Sequence, residues 1–261
     1  MAQEPRTIVI TGGGSGIGRA VAMQCAARGD RVAVLDIAGD TAVEAAAAAR
    51  AAGAAAAIGL ACDVSREESV AGALSESERV LGPAWGVFAN AGMDAGGFAH
   101  ELPFETWKRV LEVNLTGVYL TCKYALQQCL KASRGGSIVC TSSPGAFVSF
   151  AAGAAGAYSA SKGGISALVR CLAVDYARHG IRVNAVVPGA TETRLMWANV
   201  APEEIPRMRR QISAEVPIGR LASPDEPARA VVWLLSDESS YVTGSHLVCD
   251  GGILAKACIS V

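Results

Sequence analysis

The stretch TIVITGGGSGIG, residues 7–18, joins a short β-branched run to a glycine-rich turn and then to an apolar helical pattern. Glycine lets the backbone turn tightly and come close to a pyrophosphate, and the free amides at a helix N-terminus favour that negative charge. The literal pattern G-x-G-x-x-G is absent, because the spaced glycines stand at Gly12, Gly16 and Gly18. A tight strand-to-helix connection without a ligand is the alternative. The stretch therefore predicts a strand, a candidate phosphate-binding turn and a helix in that order.

Short apolar runs alternate with longer helical patterns along the rest of the chain. The predicted strands are 7–11, 31–36, 55–64, 85–90, 136–143, 181–188 and 245–249, and the helical patterns include 16–29, 40–52, 104–132, 157–179 and 224–236. The strands lack polar alternation, as strands covered on both faces do. The pattern predicts an α/β fold: a Rossmann-type doubly wound, mainly parallel seven-stranded sheet with helices on both faces. No Pro/Ser-rich linker divides it, so residues 1–261 are predicted to form a single domain.

Composition excludes several classes of protein. The 261 residues are 51% hydrophobic and 18% charged with a formal net charge of −1, which favours a globular protein and disfavours nucleic acid as a partner. The N-terminus carries acidic and proline residues, and no uninterrupted apolar run reaches about 18 residues, so we expect no signal peptide, no membrane span and a cytoplasmic location. Eight scattered cysteines without C-x-x-C spacing are predicted to be reduced and mostly buried, with no metal site.

Acidic and amide residues stand at the ends of the next predicted strands. Asp36 ends the second strand at about the separation from the glycines at which a carboxylate meets the adenosine ribose hydroxyls. A carboxylate would repel a 2′-phosphate, and Ser15 and Ile37 supply no cation to hold one, so NAD is predicted rather than NADP. A solvated strand-end carboxylate is the alternative for Asp36. Later strand ends carry Asp63 with Val64, and the segment 90–92.

Two Tyr-x-x-x-Lys pairs occur, YLTCK at 119–123 and YSASK at 158–162. Residues i and i+4 share a helix face. A tyrosine needs its pKa lowered by about 3 units to exchange protons near neutral pH, roughly 4 kcal/mol. A cation about 4 Å away at an effective dielectric of about 20 supplies on the order of 4 kcal/mol. Only Tyr158 follows a strand-end serine pair, so Lys162 is predicted to lower its pKa, whereas Tyr119 and Lys123 are predicted to be a solvated pair.

With TGGGSGIG at 11–18, NAG at 90–92, YSASK at 158–162 and VVPGATET at 186–193, the chain resembles the short-chain dehydrogenase/reductases of the single-domain type. The resemblance runs from about Thr7 to the DGG at 250–252. It implies a catalytic set of Asn114, Ser143, Tyr158 and Lys162. It also implies that NAD is held by Gly12, Ser15, Gly16, Ile17, Gly18, Asp36, Ile37, Asp63, Val64, Asn90, Ala91, Gly92, Tyr158, Lys162, Pro188, Gly189, Thr191 and Thr193.

The resemblance also assigns roles. Tyr158 would be the general acid/base, Lys162 would also bind the nicotinamide ribose, and Asn114 would hold a water beside Lys162. Ser143 would donate a hydrogen bond to the substrate oxygen. Adjacent strand residues face opposite ways, so only one of Ser142 and Ser143 can reach the cofactor, and Ser143 is favoured.

Two departures from the family pattern stand out. Ala89 replaces the first of the two asparagines that usually precede Ala-Gly, with little consequence expected. The loop from Ser143 to Tyr158 is about two residues longer than is common in the family.

The resemblance places a substrate-covering segment at about 190–215, where Met196 and Trp197 could wall an apolar pocket. The segment's arginines, Arg194, Arg207, Arg209 and Arg210, could meet an acidic substrate, although a solvated helix face is the alternative for the last three. Of the histidines His100, His179 and His246, only His100 could line a substrate cleft.

We predict an NAD(H)-dependent oxidoreductase that interconverts a secondary alcohol and its ketone. The alternatives are an NADPH-dependent reductase of a carrier-bound 3-oxoacyl or polyketide chain and a non-catalytic cofactor-binding sensor. By resemblance, the apolar helices 104–132 and 157–179 and the tail 250–261 would form a homotetramer.

Overall fold

The computed structural model describes residues 4–150 and 153–256, and within them seven parallel strands form one sheet in the order β3-β2-β1-β4-β5-β6-β7. The strands are β1 Thr7–Thr11, β2 Arg31–Asp36, β3 Ala56–Ala61, β4 Gly86–Ala89, β5 Gly136–Thr141, β6 Ile181–Pro188 and β7 His246–Cys249. The chain winds outward from β1 in one direction and from β4 in the other. The predicted doubly wound sheet is confirmed, and every strand pair is parallel.

Helices cover both faces of the sheet. They are α1 Gly16–Ala27, α2 Gly39–Ala51, α3 Glu67–Leu81, α4 Phe104–Leu111, α5 Gly117–Ala132, α6 Gly156–Tyr176, α7 Ile205–Glu215 and α8 Asp225–Leu234. Val9 faces the core beneath α3, α5 and α6, whereas its neighbours Ile8 and Ile10 face the core beneath α1, α2 and α8. Because successive strand side chains enter opposite cores, the strands are apolar on both faces.

The long helix predicted over 104–132 is interrupted in its middle. Five residues, Glu112–Thr116, form a π-helical turn between α4 and α5. Such turns occur frequently at functional sites because the added residue redirects a side chain. Here the turn contains Asn114, whose side chain is buried.

Buried cysteines contribute to both cores. Cys25, Cys62, Cys122, Cys129 and Cys140 are buried, as predicted, whereas Cys171 is exposed and Cys249 is half-buried. Cys258 lies outside the described residues. Within residues 4–150 and 153–256, no helix is long and apolar enough to cross a membrane.

Candidate active site

The glycine-rich turn lies at the point where the sheet reverses direction, between the carboxyl ends of β1 and β4. Gly12 and Gly16 have positive φ angles of 61° and 51°, which favour glycine. A Cβ at Gly18 would lie 2.2 Å from the carbonyl oxygen of Gly12, so the first turn of α1 packs directly on this backbone. The close approach leaves no room for side chains on the inner side of the turn. Its geometry therefore fits the predicted phosphate-binding role.

The Asp36 carboxylate lies beside this turn at the end of β2. Its oxygens accept hydrogen bonds from the backbone N–H of Gly14 (3.0 Å) and of Ala38 (3.1 Å). These bonds fix the carboxylate in place next to the glycine turn. Ile37, the following residue, is 67% exposed and offers no positive charge.

Asn90 connects three strand ends. Its backbone N–H donates to Thr11 Oγ1 (3.0 Å), and its side-chain amide donates to the carbonyl oxygens of Thr11 (3.2 Å) and Gly12 (3.3 Å). The Thr141 hydroxyl donates to Asn90 Oδ1 (3.1 Å), and Ala91 N–H also donates to Thr11 Oγ1. The Asn90–Gly92 segment is thus held at the switch point by groups of β1 and β5. The supporting role of Thr11 was not predicted, since only the fold brings it opposite Asn90.

Asp63 and Val64 follow β3. Asp63 accepts hydrogen bonds from the N–H and hydroxyl of Ser65 and lies 3.7 Å from an Arg109 nitrogen. Burial raises the pKa of Asp63, but the Ser65 bonds and the charge of Arg109 outweigh it and leave the pKa lowered. Val64 is buried and packs where a Cβ on Gly117 would collide with it.

The segment after β6 crosses the glycine turn. A Cβ on Gly16 would lie 3.2 Å from Thr193 Cγ2, so Thr193 contacts the start of α1. Pro188 and Thr191 are buried, and Thr191 forms a bridge with Ala222. Of the remaining predicted cofactor residues, Ser15 is exposed, while Ile17 and Gly189 are half-buried. All of the predicted cofactor residues therefore lie along the carboxyl edge of the sheet.

Tyr158 and Lys162 lie one turn apart on α6, as predicted. Lys162 is almost fully buried, and its Nζ donates to the carbonyl oxygen of Thr141 (2.8 Å) at the end of β5. The same Nζ lies 5.5 Å from the centre of the Tyr158 ring. Burial lowers the pKa of Lys162 to about 8, against the opposing influence of Cys140 and Asp94. The Thr141 contact was not predicted, because a backbone carbonyl leaves no signal in the sequence.

The predicted lowering of the Tyr158 pKa by Lys162 is not found. Burial raises the pKa of Tyr158, a hydrogen bond with Ser143 lowers it, and the charge of Asp94 raises it, so the phenol titrates above its ordinary value. The sequence argument was incomplete because it counted the cation without the desolvation of the phenol. Tyr158 therefore holds its proton at neutral pH in this structure.

The two serines after β5 face different surroundings. Ser142 Oγ lies 3.0 Å from the hydroxyl of Ser166 inside the α6 packing. Ser143 is also nearly buried, but it points to the Tyr158 phenol and accepts a hydrogen bond from Gly145 N–H (3.2 Å). The two side chains face opposite ways, and Ser143 is the one beside Tyr158.

Asn114 reaches the same region from the π-helical turn. Its side-chain amide exchanges two hydrogen bonds of 2.8 Å with the backbone of Met93 and donates to Ser161 Oγ (3.3 Å). A Cβ on Gly92 would lie 3.3 Å from Asn114 Oδ1 and 3.9 Å from Lys162 Nζ, so both residues converge on Gly92.

Two residues near this set were missed by the sequence analysis. Asp94 is close enough to shift the pKa of both Tyr158 and Lys162, and Phe150 packs where a Cβ on Gly145 would lie. A signal existed for Asp94, because it follows the NAG segment at a strand end. Phe150 carried none, since a long loop separates it from the strand.

Several other candidates lie away from the catalytic set. Lys123 forms an ion pair of 2.5 Å with Glu67 on the surface, as expected of a solvated pair. His100 is exposed and lies 3.4 Å from Glu101.

Two arginines of the segment 190–215, which is predicted to cover the substrate, pair with carboxylates of the same segment. Arg209 pairs with Glu192 at 2.6 Å and stacks over Trp197, and Arg207 pairs with Glu204. Arg207 and Arg209 therefore form surface ion pairs, in agreement with the alternative of a solvated helix face. Trp197 donates to Glu192 (2.7 Å) and is half-buried.

Comparison with known proteins gives the class to which this fold and site belong. The family model described as enoyl-(acyl carrier protein) reductase matches residues 12–254. The 2,5-dichloro-2,5-cyclohexadiene-1,4-diol dehydrogenase of Sphingobium indicum is 39% identical over 251 residues, 96% of this chain and 97% of the relative. The cis-4-hydroxycyclohexanecarboxylate dehydrogenase of Sinomonas cyclohexanicum is 41% identical, covering 96% of this chain and 97% of the relative.

A solved structure agrees with these relatives. The crystal structure of a short-chain type dehydrogenase/reductase from Mycobacterium marinum superposes with a TM-score of 0.90 at 31% identity, covering 96% of each chain. The chain belongs to the short-chain dehydrogenase/reductase family, and this prediction from the sequence is confirmed. The predicted reaction class, oxidation of an alcohol or reduction of its ketone, is confirmed by the named dehydrogenases.

Proposed function

We propose that this protein is an NAD(H)-dependent oxidoreductase that interconverts a secondary alcohol and its ketone, with Tyr158 as general acid/base. The observation that carries the proposal is the convergence of Ser143, Tyr158 and Lys162. Ser143 follows the carboxyl end of β5, and Tyr158 and Lys162 lie near the N-terminus of α6. Ligands of doubly wound sheets bind at this edge. The three side chains combine a proton carrier, a hydrogen-bond donor and a cation around one space.

Tyr158 supplies the proton in this proposal. With its pKa raised, the phenol is protonated at neutral pH and can donate to the carbonyl oxygen of a ketone. Ser143 donates a hydrogen bond to the same oxygen, where negative charge develops. Lys162 is mostly protonated near neutral pH, and its positive charge stabilises the phenolate that remains. In the oxidation direction, the phenolate of Tyr158 accepts the proton of the alcohol, and Ser143 and Lys162 keep the same roles.

The residues along the sheet edge fit a nicotinamide dinucleotide. The glycine turn of Gly12 to Gly18 would hold the pyrophosphate, Asp36 the adenosine ribose, and Lys162 the nicotinamide ribose. When bound, the cofactor supplies the hydride or accepts it. The fixed carboxylate of Asp36 and the absence of a cation at Ile37 support NAD rather than NADP.

The relatives suggest the kind of alcohol. The names of the two dehydrogenases above describe hydroxylated six-membered rings, and we propose a ring secondary alcohol as substrate here. Residues 190–215 would cover it, with Trp197 and Phe150 as apolar walls. We also propose that residues 1–261 act as one domain.

The test is turnover. Purified protein with cyclohexanol and cyclohexanediols should produce absorbance of reduced nicotinamide with NAD and much less with NADP. Binding of NADH without turnover on any alcohol or ketone would contradict the proposal and favour the non-catalytic sensor. Turnover only with NADPH and a carrier-bound 3-oxoacyl chain would support the alternative that the family model's description suggests.

A matched serine pair tests the assignment of the substrate-oxygen donor. Ser143→Ala is expected to lower kcat by about 10²-fold, the effect of removing one oxyanion donor. Ser142→Ala should leave kcat nearly unchanged and lower the free energy of unfolding by about 1 kcal/mol, because its hydroxyl pairs with Ser166. Steady-state kinetics and urea unfolding of both variants measure this. The reverse order of kinetic effects would move the role to Ser142.

Exposed apolar residues support a homotetramer, and the free cysteines fit a cytoplasmic location, where thiols stay reduced. Val174 on α6 is 79% exposed, Tyr119 on α5 is 48% exposed, and Val248 on the outer strand β7 is 44% exposed. Burial of such side chains stabilises association. We expect four times the chain mass by light scattering; a monomeric mass would exclude the tetramer. Part of the tail in this prediction lies outside the described residues.

A further inference from the structure

Asp94 occupies a fixed position between the catalytic set and the covering segment. The residue before it, Met93, exchanges two backbone hydrogen bonds of 2.8 Å with Asn114. From the other side, the side-chain amide of Asn199 donates to the carbonyl oxygen of Asp94 (3.2 Å). Asp94 therefore sits where Asn114 and the covering segment meet.

The chain beyond Asp94 is attached to the loop that leads into α6. Gly97 N–H donates to the carbonyl oxygen of Ala154 (2.7 Å), and Gly97 forms a bridge with Ala155. A Cβ on Gly96 would lie 2.8 Å from the same carbonyl oxygen. Ala155 is three residues from Tyr158. Both ends of the short segment 93–97 are thus held by neighbours of catalytic residues, which limits the movement of Asp94.

The Asp94 carboxylate acts electrostatically on the catalytic set. Burial is the largest cause that raises the pKa of Tyr158, and the charge of Asp94 adds to it. The same charge raises the pKa of Lys162, but burial outweighs this effect and leaves that pKa lowered. Desolvation by the surrounding protein raises the pKa of Asp94 itself, and Lys162 lowers it. The Asp94 carboxylate therefore lies within electrostatic range of Tyr158 and Lys162.

The Asp94 carboxylate is also free of protein partners. Its residue is exposed, and within residues 4–150 and 153–256 no donor forms a hydrogen bond or ion pair with its carboxylate oxygens. By contrast, Asp36 and Asp63 each accept hydrogen bonds from nearby backbone N–H groups. An ionised carboxylate can only accept hydrogen bonds. A ligand group that replaces water at the Asp94 carboxylate must therefore bring a donor.

We propose that Asp94 is a specificity-determining residue whose carboxylate accepts a hydrogen bond from a second hydroxyl group of the substrate. The enzyme then prefers a diol, or a hydroxy ketone, over the corresponding monoalcohol or ketone. This inference rests on the proposed function, since Tyr158 must act on the first oxygen. Hydrogen bonds to a carboxylate are stronger than those between neutral groups, so one such bond is enough to select a substrate. A carboxylate on the substrate at the same position would be repelled.

The test compares a monoalcohol with three diols in three proteins. For the wild type, Asp94→Asn and Asp94→Ala, kcat/KM is measured with NAD on cyclohexanol and on the 1,2-, 1,3- and 1,4-cyclohexanediols. The wild type should prefer at least one diol, and the alanine variant should lose about 10- to 100-fold of that preference, as expected for a hydrogen bond to a charged group. Activity on cyclohexanol should fall less than activity on the preferred diol, because a monoalcohol does not use this bond.

Glu101→Gln is the matched control, since this carboxylate lies in the same stretch of chain but pairs with His100. It should leave the preference for diols unchanged. Equal activity on diols and cyclohexanol in the wild type, or an unchanged preference in both Asp94 variants, would overturn the inference. An equal loss on all alcohols with a shifted pH profile would also overturn it, because Asp94 would then act only through Tyr158.

Binding without turnover separates this inference from the proposed function. A diol should raise the Tm of the wild type and of Tyr158→Phe in the presence of NADH, and the rise should disappear in Asp94→Ala. If no alcohol is turned over but the rise depends on Asp94, the proposed function is wrong and the diol site stands. If cyclohexanol is turned over and no diol raises the Tm, the proposed function stands and the diol site is wrong.

Discussion

Tyr158→Phe is expected to lower kcat by about 10²–10⁴-fold, the usual contribution of a positioned acid/base. Phenylalanine keeps the ring in the same packed position but lacks the proton that the reaction must transfer. Initial-rate assays with NAD and the best alcohol of the panel measure the loss of kcat, and fluorescence titration with NADH measures binding. The affinity for NADH should change by less than about threefold, because the phenol is not needed to hold the adenosine half.

Tyr119→Phe is the control for this experiment. Tyr119 has the same Tyr-x-x-x-Lys spacing but lies on the surface of α5, and its lysine pairs with Glu67. Its variant should keep full activity. Full activity of Tyr158→Phe, or a loss confined to Tyr119→Phe, would rule out Tyr158 as the acid/base.

Asp36→Asn is expected to raise the KM for NAD by about 10- to 100-fold, since a hydrogen bond to a charged group contributes about 1.5–3 kcal/mol. Asparagine keeps one acceptor for the backbone N–H of Gly14, so the turn should stay folded. Adding Ile37→Arg should then improve kcat/KM for NADP, because the exposed position can present a cation to the 2′-phosphate. Kinetics with both cofactors give the ratio.

Asp40→Asn serves as the control for the change in charge. Asp40 is exposed in the first turn of α2, close in sequence to Asp36 but without its contacts to the glycine turn. Its ratio of NAD to NADP should match the wild type. An unchanged cofactor ratio in Asp36→Asn with Ile37→Arg would show that Asp36 does not select NAD.

Local patterns were sufficient for the architecture. The predicted strands 7–11, 31–36 and 181–188 have the observed limits, and the other four differ by a few residues at their ends. These elements are predictable because apolar periodicity and glycine turns reflect contacts within a short stretch of chain. The cofactor and catalytic residues could be placed at the sheet edge for the same reason, although their roles stay predictions.

The sequence by itself therefore determined the doubly wound sheet, the family and the residues that come together at one edge. Only the tertiary structure decided how those residues act on each other. Three features depend on groups from separate elements: the burial that raises the pKa of Tyr158, the Thr141 carbonyl that accepts from Lys162, and the Asp94 carboxylate, which has no hydrogen-bond partner among residues 4–150 and 153–256. Desolvation and hydrogen-bond partners depend on atoms that are distant in the chain, whereas a spacing such as Tyr-x-x-x-Lys records only which two side chains share a helix face.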